Sequence, residues 1–310
     1  MNPLLITLVG PTAIGKTAFS IELANAFDTE IISADSRQFF KEMSIGTAKP
    51  TPPELAAANH HFVDFLSIHD SFSAGDFERA VLVKLDELFK SNDVIIMSGG
   101  SGLYVNAVLN GFDPLPYSKE IREQLNAKVE KEGISPLVEQ LETLDPVFAA
   151  SVDKANTQRV IRALEVCLVA KKPYSSLRSK TNKKRSFSML NFGLDAPRPW
   201  IYERINKRVD MMIEEGLLQE AESLAKHQGL NSLKSVGYTE LFDYLNQKCT
   251  LQEAVEQIKL NTRRFSKRQL TWFRNKLEVQ WLDAQVIQQN PEIGIEKVKE
   301  YIQAAGILKQ

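Results

Sequence analysis

Along the first hundred positions, short continuous apolar runs alternate with stretches in which apolar residues recur every three to four places. The runs are Leu4–Val9, Glu30–Ala34 and Asp93–Ser98, the pattern of strands buried on both faces. Between them, Lys16–Ala26 and Phe77–Lys90 carry helical spacing. This alternation predicts an α/β fold, a doubly wound parallel sheet with ligands gathering at the carboxyl ends of its strands. Beyond Asp113-Pro114-Leu115-Pro116 the pattern changes, and residues 118–172 show helical period alone, from Leu137, Val138, Leu141 and Leu144 to Val160, Ile161, Leu164, Val166 and Leu168. The basic, polar stretch Ser175–Ser186 reads as a loop, and Phe187–Leu194 as a strand returning to the sheet. Helical spacing resumes at Tyr202–Leu224, Tyr238–Leu245 and Leu251–Lys276, before a short strand at Val279–Leu282. The expected division is a core of 1–115 plus 187–310, interrupted by a helical insertion domain at 116–186.

The first run leads into Gly10-Pro11-Thr12-Ala13-Ile14-Gly15-Lys16-Thr17, a complete GxxxxGK[ST] loop. Such a loop turns its backbone N–H groups inward around phosphate oxygens, and the following helix adds the positive end of its dipole. Gly10 and Gly15 let the backbone approach an anion, Lys16 adds a charge, and Thr17 offers a hydroxyl to Mg²⁺. The expected fold is therefore P-loop NTPase-like, and the expected ligand a diphosphate or triphosphate. Asp35 falls where the second strand meets its loop. It can serve as a general base beside the bound phosphate compound, as an N-cap, or as a ligand to a magnesium-bound water. Most P-loop NTPases hold their metal with an acid at the end of a further strand. Here Val94–Met97 runs into Ser98-Gly99-Gly100-Ser101 without one, which argues against an ATPase or GTPase.

Composition is that of a globular protein, with 43% apolar and 25% charged residues. No apolar run approaches the roughly eighteen residues of a membrane helix, and the stretch after Met1 is too short for a secretory signal. Cys167 and Cys249 follow no metal spacing and read as buried free thiols, so the expected location is the cytoplasm, away from any membrane. His60-His61 lacks the neighbours of a metal site. The net charge of −1 conceals an asymmetry: residues 1–150 hold 11 Lys/Arg against 21 Asp/Glu, and residues 151–310 hold 27 against 18. Lys171–Arg185 and Lys259–Lys276 each contain seven basic residues and no acid, the second with Phe265, Trp272 and Phe273 interleaved. Either run alone reads as a solvated face. Two in one chain, one of them aromatic, point to nucleic acid. The aromatics themselves can equally be core.

Several blocks together are similar to the tRNA dimethylallyltransferases, the isopentenyl-tRNA transferases. They are Gly10–Thr17, Ile32–Gln38, Ile45–Pro50, Phe72–Phe77, Gly99–Tyr104, Gln158–Val166, Arg204–Asp210, Val236–Tyr238 and Arg263–Arg274, in the family's order along nearly the whole chain. Ser101 stands where the family usually has Thr. No Cys/His cluster follows Trp281, so the zinc-finger extension of eukaryotic relatives is not seen, and the length resembles that of bacterial members.

The resemblance implies transfer of a dimethylallyl group from dimethylallyl diphosphate to the exocyclic amine of the adenosine 3′-adjacent to a tRNA anticodon, releasing diphosphate. It implies that Asp35 is the base, that Thr12 orients the reactants, and that Arg208 joins the P-loop and Mg²⁺ in neutralising the leaving group. The tRNA contacts it implies are Asp35, Ser36, Arg37, Gln38, Ser101, Arg122, Gln158, Arg159, Val160, Ile161 and Arg162. The helix bearing Arg263, Lys267 and Arg268 would grip the backbone and loop bases. A monomer is expected. A small-molecule kinase, an adenylate isopentenyltransferase and a non-catalytic tRNA-binding protein are the competing readings. Chain length and the missing strand-end acid count against the first, the helical insert and basic helix against the second, and intact Lys16, Thr17 and Asp35 against the third.

Overall fold

The structure, a computed structural model, describes residues 3–113, 115–178 and 183–307. Two compact units are present, Met1–Leu109 with Lys184–Gln310, and Asn110–Lys183. In the larger unit six strands, β1 (Leu4–Val9), β2 (Ile31–Ser33), β3 (His60–His61), β4 (Val94–Gly99), β5 (Ser188–Asp195) and β6 (Gln280–Asp283), form one parallel sheet. Their order is β3-β2-β4-β1-β5-β6. Apolar runs without alternation suit strands covered on both faces. Leu4, Ile6 and Leu8 of β1 enter one core with Ile96 and Phe192, whereas Leu5 and Val9 enter the other with Ile32, Ile95 and Met97. The register pairs Val9 with both Gly99 and Gly193, and Ser33 with Ser98, so β1, β2 and β4 end together at one edge.

Most expected elements are found, with boundaries moved where local chemistry intervenes. The helix after the P-loop spans Lys16–Ala26, and the long basic helix Leu251–Lys276, started by a Thr250/Glu253 capping box. The helix expected from Phe77 begins at Ala74, because Ser73 and Asp76 form another capping box. The expectation of one helix over Tyr202–Leu224 needs correction. Gly216 takes a left-handed conformation (φ 105°) and divides it into Arg198–Glu214 and Leu217–Leu224. Apolar patterning did not reveal the two-residue β3 or the helices Gly102–Asn110, Ala284–Gln289 and Pro291–Ala304. A third core, built from helices between 209 and 258 and the loop around Met43, completes the larger unit.

The smaller unit is helical, with Lys119–Glu132, Ser135–Leu144 and Thr157–Ala170 packed around Leu125, Leu137, Leu141, Val160, Ile161 and Leu164. Within the loop expected at 175–186, Tyr174–Leu177 forms a single helical turn. Positions 179–182 of that loop and of the basic run Lys171–Arg185 lie outside the described residues, as does Pro114.

Candidate active site

The C-terminal ends of β1, β2 and β4 deliver three loops to one place: Gly10–Thr17, Ala34–Gln38 and Gly99–Gly102. In the first, Lys16 donates from Nζ to the carbonyl of Pro11 at 2.8 Å, which folds its ammonium over the loop. Lys16 is half-buried, and burial lowers its pKa from 10.5 to about 8, with Asp35 opposing the shift and Arg208 adding to it. Arg208 projects from the helix Arg198–Glu214 and donates to Oγ1 of Thr12. Burial likewise lowers its pKa, to about 10, against the field of Asp35. Arg208 Nε is buried without a hydrogen-bond partner. A buried donor left open beside a phosphate-type loop is suited to an anionic ligand.

Asp35 stands in the second loop, where its charge acts on both of these cations. Its Oδ1 accepts from the amide of Arg37 at 3.0 Å, a local turn that fixes the carboxyl group. Ser101 Oγ accepts from the amide of Ser36 at 3.0 Å and donates to Ser36 Oγ at 3.1 Å, tying the ends of β2 and β4 together. A cavity of about 960 Å³ opens on Lys16, Thr17, Arg204 and Lys207. A second, of about 700 Å³, opens on Ser101, Leu103, Phe265, Arg268 and Trp272. Thr12, Asp35, Thr47, Arg208 and Met212 line both. Asp35, Thr12 and Arg208 therefore form the wall where a phosphate-side chamber meets an aromatic, cationic one.

Other expected contacts are engaged in different ways. The Arg37 guanidinium donates to the carbonyls of Asn231 (3.1 Å), Ser232 (2.9 Å) and Lys234 (3.4 Å). Gln38 donates to the carbonyls of Thr47 (3.2 Å) and Ala48 (2.9 Å). Both hold loops together. On the basic helix Lys267 and Arg268 are exposed, and Arg268 lies over the ring of Phe265 at 5.8 Å. Arg263 is half-buried and donates to Asn206 at 2.7 Å. The aromatics divide: Phe265 is exposed, Trp272 half-buried, and Phe273 fully buried in the core.

In the smaller unit the side chains of Val160 and Ile161 are buried in that unit's core, which leaves only their backbone to meet a ligand. Gln158 and Arg159, on the first turn of the same helix, are exposed. Arg122 and Arg162 flank the fully buried Glu165, Arg162 at 2.8 Å. Arg162 also donates to the carbonyl of Pro116 at 3.0 Å, and Arg122 lies 5.2 Å from the centroid of the Tyr117 ring. Leaving Glu165 unpaired would strand a buried charge, so both arginines hold this unit's fold.

Two polar residues at the site were not singled out from sequence. Arg204 donates from Nε to the carbonyl of Ala13 at 2.8 Å, bracing the P-loop from outside. Gln269 is buried; its Oε1 accepts from the amide of Thr12 at 2.9 Å and its Nε2 donates to the carbonyl of Gly100 at 2.9 Å. Thr262, Ser266 and Gln269 recur at spacings of four and three on the inward face of the long helix. Polar residues on an apolar stripe were the available signal.

A parallel sheet with a P-loop after its first strand, a cationic pocket and a carboxyl group on the shared wall defines a phosphate-handling α/β protein. The chain belongs to the IPP transferase family, whose profile matches residues 38–276. It is 51% identical to the tRNA dimethylallyltransferase of Christiangramia forsetii over 284 residues, covering 91% of this chain and 94% of that one. The crystal structure of the full-length tRNA isopentenylpyrophosphate transferase from Bacillus halodurans matches with a TM-score of 0.67 and 37% identity, over 97% of this chain and 99% of that one. A eukaryotic dimethylallyltransferase, crystallised acting on tRNA, shares the fold with a TM-score of 0.81 at 24% identity, over 97% of this chain and 80% of that one.

Proposed function

We propose that this chain transfers a dimethylallyl group from dimethylallyl diphosphate to the exocyclic amine of the adenosine 3′-adjacent to the anticodon of tRNA. The observation carrying this reading is the shared wall: Asp35, Thr12 and Arg208 line both the phosphate-side chamber and the aromatic one. The diphosphate binds to the loop Gly10–Thr17 through the amides of Ala13 to Thr17, Ala13 and Ile14 contributing backbone only, while the Pro11 carbonyl positions Lys16. Lys16 and the open Nε of Arg208 receive its charge. Thr12, held by Arg208, orients the bridging oxygen.

The amine nitrogen forms a bond to the first carbon of the prenyl group as that carbon's bond to the diphosphate oxygen breaks. The electron pair leaves with the diphosphate, and its charge is met by groups already in place. The amine is a weak nucleophile because its lone pair is delocalised into the ring. Asp35 takes the proton it must lose. The adenosine has to leave its stack to enter, as in other base-modifying enzymes. We assign its reception to Ser36 and Ser101 at the lip, and the grip on RNA to Lys267, Arg268 and Arg263. Gln158 and Arg159 offer further exposed contacts on the smaller unit.

The described residues contain no group of three or more His, Cys, Asp or Glu able to cage a metal. Mg²⁺ is ordinarily held by one or two protein oxygens, substrate phosphates and water, and the Thr17 hydroxyl is an oxygen of that kind. Thr17 would hold it, and when bound it supplies positive charge to the diphosphate oxygens. We assign the reaction to a monomer, working on tRNA in the cytoplasm.

The test is to incubate the protein with labelled dimethylallyl diphosphate and unmodified tRNA and digest the product to nucleosides. Label in N6-prenylated adenosine is expected. Asp35→Ala should keep diphosphate binding and lose at least ~10²-fold in transfer rate. No labelled nucleoside from the wild-type protein would refute the reading, and near-normal turnover by Asp35→Ala would remove that residue from the mechanism.

A further inference from the structure

We propose that Gln269 is a positioning residue that holds the phosphate loop and the acceptor-side turn in register, making the basic helix the common carrier of both halves of the site. This rests on the function proposed above and assigns a role to a residue that reading leaves unused. The side chain is buried, and its amide is spent in both directions: Oε1 receives the Thr12 amide at 2.9 Å, and Nε2 donates to the Gly100 carbonyl at 2.9 Å. These partners lie in different loops, one following β1 and the other following β4, while Gln269 itself is more than 160 residues from either along the chain.

A Cβ on Gly100 would come within 2.4 Å of Gln269 Nε2, so a side chain at that position would push the Gln269 amide aside. On the other side, Thr12 is held twice, by Gln269 at its amide and by Arg208 at its hydroxyl. Its backbone amide is therefore turned toward the helix, away from the phosphate, which leaves the hydroxyl as its contribution to the reaction. The neighbouring Lys267 and Arg268 point outward from the same turn. Any tilt of the helix caused by RNA at those cations moves Gln269, and with it both Thr12 and Gly100. Only a planar group offering one acceptor and one donor satisfies both loops.

Two variants test this, each compared with wild-type protein that has first been shown to transfer the prenyl group, so failure of the functional reading is seen separately. Gln269→Met keeps the length and removes both hydrogen bonds. It should lower kcat by about 30-fold or more while the Kd for an anticodon stem-loop stays within about threefold. Gln269→Glu keeps the acceptor for Thr12 but loses the donor to Gly100 unless its carboxyl group is protonated, which burial favours. Its activity relative to wild type should rise about tenfold as the pH falls from 8 to 6. Asp35, Arg37, Tyr104, Arg208, Lys234, Glu240 and Arg268 line the adjoining cavity in both proteins, so the ratio reads the carboxyl group introduced at position 269. A kcat for Gln269→Met within threefold of wild type overturns the proposal. So does a Gln269→Glu ratio that is flat with pH while the variant merely loses thermal stability.

Discussion

At the scale of single residues, Lys16 shows most directly how enclosure and function are linked. Burial lowers its pKa to about 8, so the free protein carries the full ammonium charge only below that pH. A bound diphosphate favours the charged form and raises the pKa again. Binding above pH 8 therefore requires proton uptake, and affinity should be level from pH 7 to 8 and then fall by up to about tenfold per pH unit. Calorimetric titration with a non-transferable dimethylallyl diphosphate analogue checks this, because the ligand's own last proton, like that of other phosphate esters, is lost near pH 6. Lys16→Met should bind weakly at every pH and show no such slope. The identity of Lys16 was legible because a P-loop is a local motif, complete within eight residues. Arg204 and Gln269 were not legible as P-loop supports, since each reaches the loop across some 190 or more residues of chain. Equally hidden was the pairing of Arg122 with the buried Glu165, whose positions stand 43 residues apart along the chain.

At the scale of elements, continuous apolar runs identified five of the six strands, because the parallel sheet is covered on both faces and most strand positions are apolar, with exceptions such as Thr7, Asn191 and Gln280. The sixth, His60–His61, is two residues long and polar, and only its pairing with Ile31 and Ile32 defines it. Helix ends followed capping chemistry, as at Ser73, and one helix became two at Gly216, where periodicity alone carries no stop signal. The helix Leu251–Lys276 is the element with two faces: Ala254, Ile258, Leu270 and Phe273 are buried, and Lys267 and Arg268 are exposed. If its outer face binds RNA phosphates, each neutralised contact contributes about 0.7 to the slope of log affinity against log salt for single-stranded segments. Lys267→Ala with Arg268→Ala should reduce that slope by about 1.4 for an anticodon stem-loop, measured by titration between 50 and 200 mM salt. Arg263→Ala should change it less, because its guanidinium is already engaged by Asn206. An unchanged slope in the double variant would exclude this face as the RNA surface.

At the scale of the whole molecule, the two chambers and their shared wall distinguish prenyl transfer from the kinase that a P-loop first suggests. A kinase ordinarily needs an acidic residue at a strand end to hold its metal, and β4 instead ends at Gly99, followed by a turn whose Gly100 carbonyl is occupied by Gln269. On the proposed phosphate side stand one lysine, one arginine whose buried Nε is open, and loop amides, enough charge for a departing diphosphate. Ligand-linked stability separates the alternatives without any assay of turnover. A ligand at a hundred times its Kd stabilises the native state by about 2.7 kcal/mol. For a chain of this size that corresponds to a rise of roughly 5 °C in Tm. Dimethylallyl diphosphate with Mg²⁺ should produce such a shift in the absence of tRNA, and ATP at the same concentration should produce a smaller one. Because Lys16 and Arg208 carry the charge in either case, the difference would come from the chamber beyond Asp35, where Val209, Met212 and Leu217 offer apolar contact to a prenyl chain and little to a sugar. A larger shift with ATP would mean that the apolar wall is not what selects the ligand, and the diphosphate of a prenyl alcohol would no longer be the better account of this pocket.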